Sequence, residues 1–401
     1  MAAATDQYVL AINGGSSSIR FAVYRIEIEP IRILGGKIER IGSPEQHLVF
    51  HDVRGKDQRT QRVDMPTAGS AAVFLLDWLE RRLDFNTVRA VGHRVVHGLQ
   101  HVESQTVTPE LLRDLHGIVA LDWDHLPREI ELIEEFRRRY PQLLQVACFD
   151  TAFHRTLPRL AQLLPIPRRF DALGIRRYGF HGLSYAYLMQ CLTQINPQRA
   201  QGRVILAHMG NGVSMAAVKG GASIDTSMGF TPTGGLLMGT RSGDFDPGLM
   251  CYLMQSEGLS LEQFSHLINH ESGLLGVSES SADMRDLLER EMEDVRAVEA
   301  VALFCYQARK WIGAYAAVLN GIDTLVFSGG IGENQPLVRA RICDELAFLG
   351  IVLDAECNAA SEGLISVPAS RVEVRVIATD EEWMVATTTW LLAGKQQGAS
   401  A

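Results

Sequence analysis

The chain has 401 residues, 46% of them hydrophobic and 21% charged, and a formal net charge of -9. Such a length exceeds what one core usually serves, so two domains are expected, and the apolar content excludes a disordered chain. The excess of acid argues against a nucleic-acid binder, which carries a basic face.

Six cysteines, at positions 148, 191, 251, 305, 343 and 357, lack C-x-x-C spacing and indicate neither a zinc site nor a disulfide framework. No apolar run is long enough to span a bilayer, and the opening M-A-A-A-T-D-Q-Y lacks the basic and apolar regions of a secretion signal. A reduced, cytoplasmic protein with no membrane partner is expected.

Residues 9–12 and 19–24 are β-branched and aromatic runs around N-G-G-S-S-S, so the chain opens on a β-hairpin. Its tip either merely turns the chain or holds a ligand. Glycines let backbone N–H groups approach closely, and Asn13, Ser16, Ser17 and Ser18 suit a phosphate oxygen or a water on Mg2+. It is no Walker loop, since no Gly-Lys-Ser/Thr follows. Residues 204–219 repeat strand, Gly/Asn tip and strand roughly half a chain later, which points to an internal duplication.

Helical patterns cover residues 68–83, 129–140, 260–269, 284–301 and 304–320, and strand patterns 90–96, 146–149, 204–207, 324–328 and 372–377. Their alternation argues for an α/β fold with mixed sheets. Residues 51–64 read as a loop and 395–401 as a frayed tail. After the strand 324–328, G-G-I-G-E-N reads as a glycine turn before a helix that begins near Pro336, an arrangement that can place backbone N–H groups against a nucleotide.

G-H-R-V-V-H-G, residues 92–98, ends a strand whose alternation sets Arg94 and Val96 on one face. Arg94 either clamps a carboxylate or phosphate beside an apolar surface for a short tail, or makes a structural salt bridge. Asp150 follows the strand 146–149, the usual place for catalytic groups in α/β sheets. His181, in R-R-Y-G-F-H-G, has a loop-like setting and is either a ligand group or a hydrogen-bonded loop residue. Residues 225–248 hold too many Gly, Thr and Ser for a packed core, so a long ordered and functional loop is expected, with Arg241 as a second anion clamp.

In order, the chain carries N-G-G-S-S-S, G-H-R-V-V-H-G, F-D-T-A-F-H, R-R-Y-G-F-H-G, H-M-G-N-G, D-T-S-M-G-F-T-P, M-G-T-R-S-G-D-F-D-P, S-G-L-L-G, D-M-R-D, G-A-Y-A-A, G-G-I-G-E-N and T-D-E-E. This ordered set spans nearly the whole sequence and resembles the acetokinase family, the acetate kinases among them, within the superfamily of sugar kinases, heat-shock 70 proteins and actin. The resemblance implies two duplicated actin-like ATPase domains, each a ribonuclease H-like mixed sheet flanked by helices, around a nucleotide cleft. It implies an N-terminal domain of residues 1–150 plus 387–401, a nucleotide-binding domain of residues 151–386, and a homodimer. The implied reaction is reversible, Mg2+-dependent, direct in-line transfer from ATP to acetate, giving acetyl phosphate and ADP. Propionate or another short acyl chain is the alternative acceptor, and Mn2+ can replace Mg2+.

By the same resemblance, Arg94 and Arg241 align and neutralise carboxylate and γ-phosphoryl, His181 donates to the phosphoryl oxygens, and His125 contacts the transferring group. Asp150 orients the arginines or a metal-bound water. Asn13 and Glu381 hold the metal, unless T-D-E-E simply caps a terminal helix. Val96, Phe180 and Pro232 wall the acyl pocket. His208, Gly210, Asn211 and Gly212 meet the ATP phosphates, while Asp283, Met284, Arg285, Gly330, Ile331, Gly332 and Asn334 line the adenosine pocket. Asp124 departs from the family's apolar pocket pattern, and Arg20 stands for a usual Lys. Two competing readings are a kinase of a hydroxyl acceptor, with Asp150 as base, and a nucleotide switch. Two arginines aimed at the acceptor do not suit a neutral sugar, and a switch leaves G-H-R-V-V-H-G and R-R-Y-G-F-H-G unexplained.

Overall fold

The computed structural model describes residues 6–15, 18–52, 59–63 and 70–399, so Ser16 and Ser17 lie outside the described residues. It divides into two units, Met1–Ala152 with Asp380–Ala401, and Phe153–Thr379. The chain returns to the first unit at Asp380, one residue ahead of the terminal helix Glu381–Ala399, whereas a boundary at residue 387 would cut that hydrogen-bonded helix.

The first unit is built on eight strands: β1 (Tyr8–Gly14), β2 (Ile19–Ile26), β3 (Pro30–Glu39), β4 (His47–Asp52), β5 (Arg59–Arg62), β6 (Val88–Val95), β7 (Gln105–Thr106) and β8 (Leu144–Phe149). They run β5-β4-β3-β2-β1-β6-β8-β7 across one sheet. Strands β1 and β2 form the expected hairpin, with Asn13 opposite Arg20, and β6 and β8 continue parallel on the other side of β1. The second unit contributes β9 (Arg203–Met209), β10 (Val213–Lys219), β11 (Ala222–Thr226), β12 (Thr324–Ser328) and β13 (Glu373–Val376), in the order β11-β10-β9-β12-β13. Again a hairpin and a third antiparallel strand lie on one side of the leading strand, and two parallel strands on the other. The repeated order is the duplication that the two hairpins announce.

Parallel strands buried on both faces read as continuous apolar runs, which is why β6, β8, β9 and β12 are legible in the sequence. In the first unit Leu10, Ile12, Phe21 and Val23 join Trp78, Leu132 and Phe136 from the helices Ser70–Glu80 and Leu126–Arg139. Trp78 meets Phe50 and Phe21 edge-on, with ring centroids 4.9 and 5.3 Å apart. In the second unit the helix Gly182–Ile195 covers Val204, Leu206, Ala216 and Val326 with Tyr185, Leu188 and Leu192.

Gly92 owes its identity to the terminal helix. A Cβ there would overlap Thr389 Oγ1 and come within 2.6 Å of Val385 Cγ1, so the missing side chain lets the helix lie against β6. Gly92→Val should therefore cost about 1–3 kcal/mol by overpacking. A thermal melt indistinguishable from that of the parent would contradict this packing.

Several expectations are corrected. Of residues 51–64, 53–58 and 64 lie outside the described residues, and 51–52 and 59–62 are strand rather than loop: β4 ends at Asp52, and β5 pairs with it along one edge only. The strand Arg-Thr-Gln-Arg is exposed at every position and shows no apolar period. Residues 395–399 are helical rather than frayed. The helical pattern 284–301 is broken at Glu291–Asp294, where Asp294 accepts from Arg296 N and starts a new helix, Val295–Val318, that absorbs most of the pattern 304–320. G-G-I-G-E-N is not a turn but a short helix, Gly329–Asn334, that begins directly after β12. Among the described residues no helix is long and apolar enough to cross a membrane.

Candidate active site

In each unit the candidate residues gather at the C-terminal ends of the parallel strands, where strand-end loops leave backbone and side chains open to a ligand. In the first unit these are Asn13 on β1, Arg94 on β6 and Asp150 just after β8. Arg94 Nη2 donates to Asp150 Oδ2 at 2.8 Å. Its Nη1 reaches Glu129 Oε1 at 3.4 Å and Asn13 Oδ1 at 3.5 Å. The Asn13 amide donates in turn to Glu381 Oε2 at 3.3 Å. Glu129 also accepts from Val96 N at 2.9 Å, tying the guanidinium to the strand end.

Three carboxylates, two of them without any exposed side-chain surface, thus surround one arginine. Burial lowers the Arg94 pKa, but Asp150, Glu129 and Glu381 outweigh it and raise it well above the ordinary value. Burial pushes Glu129 up to about 8, against the pull of Arg94 and Val96 N–H, and Asp122 and Asp150 add to the rise. Burial, and next the Asp150 charge, push Glu381 up to about 7.

Carboxyls raised in this way keep protons that the unfolded chain releases. Their contribution to stability is full below the ordinary carboxylate range and is lost as the pH climbs through about 7 and 8. The melting temperature should fall between about pH 5 and about pH 8.5, and Glu129→Gln should flatten the upper part of that fall. An identical slope in the variant would rule Glu129 out as its source.

His125 stands at the start of the helix Leu126–Arg139, its Nδ1 and backbone N each 2.9 Å from Asp122 Oδ1. Asp124 N also donates to that oxygen, at 3.2 Å. The neighbouring His93 is structural: fully buried, 2.8 Å from the Gln145 side chain, and pushed down to about 4 by burial.

In the second unit His181 heads the helix Gly182–Ile195 in the left-handed conformation, φ 57°, an uncommon backbone state for a residue other than glycine. Its Nδ1 lies 2.9 Å from Ser214 Oγ, and its ring stacks on His208 with centroids 4.2 Å apart. His208 Nδ1 lies 2.9 Å from Ser184 Oγ. The hairpin tip between β9 and β10 faces these rings. A Cβ on Gly212 would come within 3.1 Å of His181 Nε2 and 3.6 Å of Arg241 Nη1, and one on Gly210 would lie 3.6 Å from His208 Nε2 and 3.9 Å from Gly330 N. Two imidazoles, one guanidinium and the start of the short helix converge on this tip.

Arg241 Nη1 donates to Pro232 O at 3.2 Å, within the long loop 227–246 that the glycine and threonine content foretells. That loop is held by residues to which no role was given. Arg177 Nη1 donates to the carbonyls of Thr226, Ser227 and Met228. His154 binds Ser223 Oγ and Phe180 O, fixing the residue before His181. Phe180 and Val96 are buried.

Of the residues expected to line an adenosine pocket, Asp283 caps the helix Met284–Arg290 and pairs with the exposed Arg285 at 2.6 Å. Met284 and Gly332 are buried, and Asn334 donates to Gly330 O at 3.0 Å. Sequence reasoning missed Glu333, whose carboxylate accepts from Gly329 N at 2.8 Å and from Thr379 N at 3.1 Å. It also missed the fully buried Arg339, which donates to the Gly332 and Glu333 carbonyls and so satisfies the far end of the same helix. Only the acidic and basic residues flanking a glycine cluster could have signalled either.

Two mixed sheets of one repeated topology, each with a hairpin tip and strand-end charges, define a protein of the actin-like ATPase fold. Residues 8–387 match the Acetokinase family. A relative, the acetate kinase of Methylocella silvestris, is 43% identical over 98% of this chain and 99% of its own length. The crystal structure of Porphyromonas gingivalis acetate kinase has a TM-score of 0.86 at 37% identity, covering 96% of this chain and 99% of that one. A propionate kinase from Francisella tularensis has a TM-score of 0.90 at 36% identity, covering 96% and 100%. The chain belongs to the acetokinase family.

Proposed function

We propose that the protein is a kinase that transfers the γ-phosphoryl group of ATP reversibly to acetate, with propionate as the alternative acceptor. The observation that carries this reading is the fixed Arg94 guanidinium, aligned by Asp150 and Glu129 at a strand end beside Asn13 and Glu381. A carboxylate acceptor is ionised at neutral pH and needs no general base. The obstacles are repulsion between two anions and in-line placement, so catalysis consists of positioning and charge compensation.

Arg94 receives the acceptor carboxylate, and Asp150 holds Arg94 in the plane that a bidentate contact needs. Val96, Phe180 and Pro232 provide apolar surface for the acyl chain. Arg241 and His181 donate to the oxygens of the transferring phosphoryl group, and His125, oriented by Asp122, does the same. The hairpin tip Gly210–Gly212 offers backbone N–H groups to the ATP phosphates, with His208 beside it, and Asp283 to Arg285 and Gly330 to Asn334 take the adenosine. Homodimer formation and a cytoplasmic setting belong to the same reading.

Asn13 and Glu381 offer hard oxygen donors in a surplus of buried acid, and no cluster of three His, Cys, Asp or Glu able to hold a metal occurs among the described residues. Few protein ligands in an acidic pocket fit Mg2+ or Mn2+, which keep most of their waters and bind chiefly through substrate phosphates. Such a cation neutralises phosphate charge when bound.

The test is hydroxylamine trapping of acyl phosphate with Mg-ATP and formate, acetate, propionate or butyrate. Hydroxamate with acetate or propionate establishes the reaction and ranks the acceptors. None with any acid, in protein shown to bind ATP, rejects it.

A further inference from the structure

The segment that leads into Glu381 is held at two consecutive residues, each within its own unit. In the second unit, Thr379 N donates to Glu333 and Thr379 Oγ1 donates to Ser184 Oγ at 2.8 Å. In the first unit, Asp380 Oδ1 accepts from Trp383 N at 2.8 Å, which caps the terminal helix. The same oxygen accepts from Arg32 Nη2 at 2.7 Å and from Tyr24 Oη at 3.4 Å. Arg32 Nε and Nη2 also reach Tyr24 Oη, at 3.1 and 2.9 Å.

A helix cap needs only the contact with Trp383 N. Arg32 and Tyr24 add something else. They face each other across β3 and β2, in the sheet whose β1 carries Asn13. The run Asp380-Glu381-Glu382 puts three successive carboxylates at one helix start. Arg32 takes Asp380 and lies 3.9 Å from Glu382, so the carboxylate left to meet Asn13 is that of Glu381. Tyr24 has no exposed surface, and burial holds its phenol far above the ordinary pKa, so it remains a neutral donor.

We propose that Arg32, seated on Tyr24, is a positioning residue for Glu381, holding Asp380 and the first helical turn where the Glu381 carboxylate serves a divalent cation with Asn13. This rests on the assignment of Glu381 to the metal made above.

The test uses Mn2+ as the probe. Its binding to the ADP complex of the full-length protein is read from the loss of the free-ion electron paramagnetic resonance signal, and hydrogen exchange is followed over residues 382–386. Arg32→Ala should weaken Mn2+ binding about 10- to 100-fold, the usual cost of losing a residue behind a metal ligand, and should speed exchange in that turn. At saturating Mn2+, kcat should stay within about threefold of the parent, because Arg32 touches no reacting group. Arg32→Lys should restore part of the affinity, since an ammonium can reach Asp380 but cannot fork to Tyr24 as well. Arg25→Ala, which removes only the surface pair with Glu27, is the control and should change neither readout.

Arg32→Ala matching the control in Mn2+ affinity would overturn the proposal, as would a loss of kcat at unchanged affinity. Glu381→Gln separates the two claims. If it leaves Mn2+ affinity intact, the metal assignment falls, and exchange in Arg32→Ala alone decides whether the clamp holds the turn. If Glu381→Gln weakens Mn2+ and Arg32→Ala does not, the clamp is rejected while the assignment stands.

Discussion

Replacing Arg241 with Ala is expected to lower kcat/KM for hydroxamate formation from acetate by roughly 10³-fold or more, the scale of an arginine that stabilises a transferring phosphoryl group. Its Nη1 hydrogen bonds go to the Pro232 carbonyl and, at 3.9 Å, to the Met238 sulfur. Those acceptors orient the guanidinium. The loop should survive the change, because Met238 N donates to the Arg241 backbone carbonyl and Gly239 N to Asn211 O whatever side chain stands at 241. Arg241→Lys should recover little, since a point charge does not replace a planar fork. A variant with an unchanged melting temperature and activity within about tenfold of the parent would remove Arg241 from the chemistry.

Arg94→Met should lose activity on a similar scale and should also destabilise the fold, which Arg241→Ala should not. Removing one partner from a buried charge cluster typically costs about 3–5 kcal/mol. Here the stranded partners are Asp150 and Glu129, both buried, together with Glu381. Without Arg94 the folded-state pKa values of Glu381 and Glu129 rise further above about 7 and about 8, so the stability deficit grows as the pH climbs through that range and shrinks as these groups take up protons. Melts of parent and variant should differ most near pH 8 and least near pH 5. A deficit independent of pH would mean that Arg94 fills space rather than compensates charge.

Much of the candidate site is legible in the sequence because it sets Arg, Asp and His at strand ends and in glycine-rich loops. Arg94, Asp150, His181 and Arg241 stand out for that reason, as do the paired hairpins. What escaped are side chains that act one step away. Glu129 lies on an ordinary amphipathic helix, and only the pairing of β6 with the rest of the sheet brings its carboxylate to Val96 N and Arg94. Arg339 reads as one more helical basic residue, yet it is wholly internal. The fold errors share a cause. Edge strands such as β5 bury nothing, so they show no period, and the break at residues 291–294 is set by an aspartate cap inside a segment whose apolar spacing continues.

The terminal helix carries a consequence for how the molecule is made. Its packing partner Gly92 and its hydrogen-bonded neighbour Asn13 leave the ribosome early, whereas Glu381 and Thr389 emerge only after the whole second unit has been synthesised. A nascent chain therefore holds β6 with one flank uncovered while some three hundred residues are added, and contacts of such wide separation are slow to close. The last helix completes the first sheet and supplies its acid in one event, so a chain that stops short of it lacks both the lid of its oldest core and a member of its charged cluster.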